Sequence, residues 1–204
     1  MGYETREQWL EAFAGKARDL FAGKGYVVPA NVKLTCGFPS TAALSRKGRR
    51  IGECWDARAS AGNVFEIFIH PQISEPGEVA AIAAHELVHA TVGLAAGHKA
   101  PFAKCAKAIG LEGKMTATVA GAAFVAWFAG VAGALGAYPH ATLNASNAAK
   151  KQKARLLKVY CPDCSEEGDE FIARMSATTI ERGTPICPFH RRPMVAELPD
   201  DDSE

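Results

Sequence analysis

The run His85-Glu86-Leu87-Val88-His89 constrains this chain more than any other feature, because its residues can cooperate only on a helix. At about 3.6 residues per turn, side chains four apart stand on one face a turn apart, so both imidazoles reach a single ion. Glu86 is offset by one position and lies beside a water on that ion, where a general base belongs. These are the parts of a hydrolytic zinc site. The flanking residues supply the helix: Ser74 to Glu78 offers a cap, a proline near the first helical position, and acidic residues where the helix dipole favours them. Val79 to Ala96 runs without proline and is rich in alanine and leucine, with Ile82, Leu87 and Val88 as apolar anchors away from the histidines. The helix is therefore expected to continue to Ala96.

A third histidine follows. Gly97 is placed to end the helix in a left-handed conformation and turn the chain back, so that His98 folds over the first two. No fourth protein ligand stands nearby in sequence, and three histidines with one open position for water suit a catalytic zinc better than a structural one. Eight residues separate His89 from His98, with Gly93 fourth among them, which excludes the metzincin spacing.

A second set of metal ligands lies near the other end. Cys161-Pro162-Asp163-Cys164 and Cys187-Pro188-Phe189-His190 are paired knuckles with 22 residues between them, and three thiolates with one imidazole complete a closed tetrahedral zinc site. Glu170 to Arg174 and Ser176 to Ile180 supply short apolar and β-branched stretches expected to form the ribbon strands. So small a segment has too little core to fold securely alone, and metal would contribute most of its stability.

Taken together, His85 to His89, the segment Gly97-His98-Lys99-Ala100-Pro101-Phe102 opening a second helix toward Ile109 and Gly110, and the strand Asn63 to Ile69 before His70-Pro71 resemble the SprT-like metalloprotease group that includes Spartan. The resemblance covers about Asn31 to Gly113 and, separately, the cysteine-rich C-terminus. It implies an α+β, zincin-like catalytic domain with a small antiparallel sheet. It also implies His85, His89 and His98 as ligands of a catalytic zinc, and Glu86 as the catalytic acid/base. The ribbon of similar proteins usually closes with cysteine, and here His190 stands in that place. Lys114 to Thr118 and Tyr138-Pro139-His140 resemble a phage and actinobacterial branch of the group.

The expected organisation over 204 residues is a catalytic domain at 1–145, a basic linker at 146–158, a zinc ribbon at 159–198 and an acidic tail at 199–204. Within the first domain a helix is expected at 5–21, the core at 31–113 and an apolar helix at 117–137. Thr5 and Gln8 form a capping box, and Trp9, Phe13, Ala17, Leu20 and Phe21 form one apolar face. The 21 residues of 117–137 carry no charge, long enough to cross a bilayer, but nine are alanine and four glycine, so a buried helix in a soluble domain is favoured over a membrane span. Gly52 to Trp55 reads as a strand with Trp55 in the core, and Phe65 to Ile69 as a strand that is either an edge for an extended substrate or internal. No signal peptide is evident, and Cys36, Cys54 and Cys105 lack framework spacing, which points to a reducing, cytoplasmic setting, nucleoid-associated or phage-encoded.

The net charge of +1 gives no global argument for nucleic acid, but the basic residues are clustered. Arg46, Lys47, Arg49 and Arg50 form one group. Lys150, Lys151, Lys153, Arg155 and Lys158 lead into the ribbon, and Arg191 and Arg192 follow its last ligand. They can neutralise phosphates of single-stranded or damaged DNA with Tyr160 or Phe189 for stacking, or form an ordinary solvated linker. Two functions are thus expected from the residues and the resemblance: a zinc endopeptidase acting on DNA-associated or DNA-crosslinked proteins, or a zinc-ribbon nucleic-acid-binding or regulatory protein whose protease-like domain does not cleave. Tyr138 and His140 are candidate oxyanion donors or loop residues, and the oligomeric state is open.

Overall fold

The structure is a computed structural model that describes residues 2–45, 47–139, 142–144, 156–166, 168 and 170–197. The chain is of the α+β class and divides into two compact units, Met1–Asn147 and Ala148–Glu204.

The first unit begins with α1 (Arg6–Ala22), whose start is fixed by Thr5: its side chain accepts from the Gln8 N–H while Gln8 reaches back to the cap backbone. Trp9, Leu10, Phe13, Ala17 and Phe21 recur at helical spacing and are all fully buried. A three-stranded sheet follows, formed by β1 (Val32–Cys36), β2 (Gly52–Trp55) and β3 (Phe65–Ile69) in the order β1-β3-β2. β1 runs parallel to β3 and β2 antiparallel to it, so the sheet is mixed rather than purely antiparallel. β3 is the central strand. β3 has a hydrogen-bonded neighbour on each side, so the two edge strands of the sheet are β1 and β2.

Alternation along these strands sets two faces. Leu34, Ile67 and Ile69 point into the core, where α2 (Pro76–Val92) lies against them. Val79, Ala80, Ala83, Ala84, Leu87 and Val88 of α2 are fully buried, and the small alanines let the helix approach the sheet closely. Glu66 and Phe68 of β3 and Glu53 and Trp55 of β2 occupy the other face, so Trp55 is 43% exposed instead of core.

α2 ends at Val92, four residues before the expected Ala96. Gly93 takes φ 84°, ψ 139°, which breaks the helix, and Leu94–Ala96 form a single 3-10 turn before Gly97 at φ 49°. α3 (Ala100–Ala108) starts with Pro101 in its first turn. A hairpin of β4 (Leu111–Lys114) and β5 (Ala117–Ala120) then leads into α4 (Ala122–Leu135).

The uncharged stretch is thus a strand followed by a 14-residue helix, not one helix over 117–137. Gly121 separates the two, its N–H donating to Gly110 O at 3.0 Å. Nor is α4 buried all round: Phe124 and Leu135 are in the core and Trp127 packs on Phe13 at 6.1 Å, while Val125 is 54% exposed. Among the described residues no helix is long and apolar enough to cross a membrane.

The second unit holds β6 (Leu156–Tyr160), α5 (Pro162–Glu166), β7 (Ile172–Ser176), α6 (Ala177–Ile180) and β8 (Val195–Glu197), with an antiparallel sheet in the order β7-β6-β8. Leu156 to Lys158 belong to the central strand instead of the linker. The expected strand at Ser176 to Ile180 is a short helix, because the Ser176 hydroxyl accepts from the Thr179 N–H and caps it. The core of this unit is Val159 and Met194 with the three cysteines.

Candidate metal centres

The first centre is built from the C-terminal half of α2 and the turn after it. One turn of helix separates His85 from His89, and the break at Gly93 with the 3-10 turn returns His98 over them. The Nε2 atoms of His89 and His98 lie 3.2 Å apart, and those of His98 and His85 3.3 Å apart. A tetrahedral zinc with bonds of about 2.0–2.1 Å holds nitrogen ligands about 3.3–3.4 Å from one another, and the two separations made by His98 match the edges of such a tetrahedron, with all three ligand atoms within 4.8 Å of one another. They are spaced as metal ligands, and their donor set fits zinc.

Two residues given no role by the sequence alone hold this arrangement. Thr118 on β5 places its hydroxyl 2.8 Å from His85 Nδ1; with the ring N–H donating there, Nε2 is left free as the ligand atom. Phe102, in the first turn of α3, packs its ring against all three imidazoles at centroid distances of 4.8, 4.5 and 4.9 Å. Phe102 is four residues from His98, but His98 precedes the α3 cap at Lys99, so the turn into α3 and not a shared helical face brings the two together. Thr118 carries no local signal, since the hairpin alone brings it to α2.

Burial lowers the pKa of His85 to about 3, helped by His89 and His98, and that of His89 to about 4, helped by His98. Burial lowers His98 as well. The rings are consequently neutral near pH 7, the state that donates a lone pair to a cation.

Glu86 is 6% exposed and lies behind β2. Burial raises its pKa to about 8, with Glu53 adding to the rise and Arg50 opposing it. Its close fit depends on Gly52: a Cβ there would lie 2.5 Å from Glu86 Oε1 and 2.7 Å from Ile82 Cγ2. A cavity of about 560 Å³ opens in front of these groups. Its lining includes His85, Glu86, His89 and His98, residues 48–54 on one wall and Thr116 to Thr118 on the other. Tyr138 does not line it; this side chain is buried against Trp9 at 5.2 Å, on the α1 side of the core. His140 lies outside the described residues.

The second centre comprises Cys161, Cys164, Cys187 and His190, whose ligand atoms all lie within 4.8 Å of one another. The Cys164 and Cys187 sulfurs are 3.7 Å apart, and His190 Nδ1 is 3.6, 3.4 and 3.9 Å from Cys161, Cys164 and Cys187. Zinc–sulfur bonds of about 2.3 Å predict about 3.7–3.8 Å between sulfurs and about 3.6 Å between sulfur and nitrogen. His190 therefore completes a closed set of four, through Nδ1. It reaches the sulfurs because Arg191 adopts φ 53° and its N–H returns to Cys187 O at 2.8 Å, tightening the knuckle. Desolvation opposes the Cys187 thiolate, but N–H groups of His190 and Phe189 point at its sulfur and bring its pKa down to about 6.

The basic residues are less uniform. Lys158 forms ion pairs with Glu170 at 3.4 Å and Glu197 at 3.8 Å, and Arg192 with Asp163 at 2.7 Å. Arg191 is exposed. Lys150, Lys151, Lys153 and Arg155 lie outside the described residues, as does Arg46. Phe189 is 71% exposed and meets Phe171 edge to face at 5.8 Å.

Comparison with protein-family models, curated proteins and solved structures finds no match for this chain.

Proposed function

We propose that this chain is a zinc endopeptidase of zincin-like fold, similar to the SprT-like proteases, that cleaves DNA-associated or DNA-crosslinked proteins. One observation carries the reading: the Nε2 atoms of His85 and His89 each stand at tetrahedral spacing from that of His98, and the three rings line a cavity that also contains the buried Glu86 carboxylate. A closed structural site would have a fourth protein ligand, as the ribbon does, and none of the other described residues joins this histidine set. His85, His89 and His98 would hold the zinc, which supplies Lewis acidity toward water and the scissile carbonyl.

The remaining steps belong to the chain. β2 is the sheet edge beside the cavity, and an extended substrate adds to it through main-chain hydrogen bonds. Glu86 accepts the proton of the attacking water at a carboxylate oxygen and returns it to the amide nitrogen as the peptide bond breaks. Burial raises the Glu86 pKa, which favours the protonated form that returns the proton, and a cation held by the neighbouring histidines would favour the carboxylate that accepts it. In the second unit, exposed Phe171 and Phe189 with Arg191 provide stacking and charge for a single strand, which supports localisation to DNA.

The test compares wild type with Glu86→Gln on a DNA-binding protein, with and without single-stranded DNA. DNA-stimulated cleavage by wild type alone, with two zinc ions per chain in both proteins, is the expected result. Equal activity in the variant, or a single zinc, refutes the assignment.

A further inference from the structure

A second cavity, of about 390 Å³, lies on the sheet face turned away from the histidines. Phe38, Trp55 and Phe68 give it aromatic walls, and among the described residues Glu53, Asp56 and Glu66 are the charged ones in its lining. Trp55 and Phe38 are each more than two-fifths exposed although they are large apolar side chains (43% and 45%). The indole is held in place: its Nε1–H donates to Glu53 Oε2 at 3.0 Å, and Glu53 is fixed in turn by the Ser40 N–H at 2.8 Å and hydroxyl at 2.7 Å. Arg50 and Arg58 neutralise Glu53 and Asp56 from outside the lining. Glu66 has no ion pair among the described residues, although Lys33 is its register partner on β1. Aromatic faces with a carboxylate among them attract a cation that carries an aliphatic stem.

The location gives this chemistry a use. On β2, Gly52 faces Glu86 and Ile82, so the next residue, Glu53, and then Trp55 face the opposite way. Glu53 lines both cavities. A peptide paired to the free edge of β2 runs between them, with alternate side chains directed to the metal side and to the aromatic side.

We propose that this cavity is a specificity subsite that receives the lysine or arginine side chain of a peptide added to β2. It rests on the reading of β2 as the strand that takes substrate. A basic residue in alternate register would then be selected, a preference matched to proteins that bind nucleic acid through lysine and arginine.

The experiment uses the full-length, zinc-loaded Glu86→Gln chain and uncharged strand-forming peptides in which one lysine is moved position by position, each paired with a norleucine control. Fluorescence anisotropy is expected to show lysine favoured by about tenfold at one alternate set of positions. Glu66→Gln, and separately Trp55→Leu, is expected to remove most of that preference while norleucine peptides keep their affinity. Equal binding of lysine and norleucine peptides at every position overturns the subsite, as does a preference unchanged in Glu66→Gln. Lysine preference without cleavage by the wild-type chain overturns the peptidase reading and supports the subsite. Cleavage of both peptide series at equal rates does the reverse.

Discussion

Replacing Gly52 by alanine adds one methyl group to β2 and tests whether the position of Glu86 against that strand matters to its chemistry. The new Cβ would lie 2.5 Å from Glu86 Oε1, 3.1 Å from its Cδ and 2.7 Å from Ile82 Cγ2. Restoring ordinary contact requires the carboxylate or the strand to move by about 1 Å. Glu86 is almost fully buried and Ile82 is packed in the core, so the displacement passes into the site. A catalytic group misplaced by about 1 Å loses about 10²-fold in rate. The added bulk also costs about 1–3 kcal/mol of stability. The three atoms nearest the new Cβ belong to Glu86 and Ile82 and not to a histidine, so zinc content is expected to stay at two per chain. The assay is kcat/KM on a peptide substrate beside zinc stoichiometry and a urea melt, with the same substitution made in Glu86→Gln. In that background Gly52→Ala is expected to cost little further activity, because the group it displaces no longer acts as a base. Activity of Gly52→Ala within about twofold of wild type refutes the reasoning, and so does loss of the histidine-bound zinc in step with activity.

Three other outcomes are expected. Thr118→Val removes the partner of His85 Nδ1, and zinc affinity at the histidine site should fall by about 10–100-fold in chelator competition while the ribbon site keeps its own. Chelation of both metals should unfold the second unit, whose core is two apolar residues and three cysteines, yet leave the helical circular dichroism of α1 and α2 largely intact. The metal-free chain should lose stability on acidification: His85 and His89 have folded pKa values of about 3 and about 4 against an ordinary 6.5, so below pH 6.5 the unfolded chain binds more protons. Urea midpoints should therefore fall between pH 6.5 and about 4, and a flat profile for these two groups, isolated by His85→Ala and His89→Ala controls, contradicts the burial argument.

Local pattern carried a good share of this protein. The capping box of α1, the proline at the start of α2, the strands at Gly52–Trp55 and Phe65–Ile69 and the convergence of His85, His89 and His98 all depend on residues close in sequence. Short-range spacing is what backbone periodicity converts directly into geometry. Errors arose where a distant contact or a single hydroxyl outweighed composition. Ala117 to Ala120 pairs as a strand because Leu111 to Lys114 lies beside it, and Ser176 turns a β-branched stretch into a capped helix. Gly93, not Gly97, ends α2: both glycines take a positive φ, and residue type alone does not say which of them breaks the helix.

By itself, then, the sequence determined the two candidate ligand sets, the helix that bears the first and the carboxylate beside it. Tertiary structure alone decided that β2 is an edge strand beside the cavity, that Thr118 meets His85, that Phe102 backs the three rings, and that Trp55 faces a second cavity instead of the core. The physical reason is the same in each case. Strand order and the packing of a hairpin on a helix join residues far apart in the chain, and no local periodicity encodes which of them will meet.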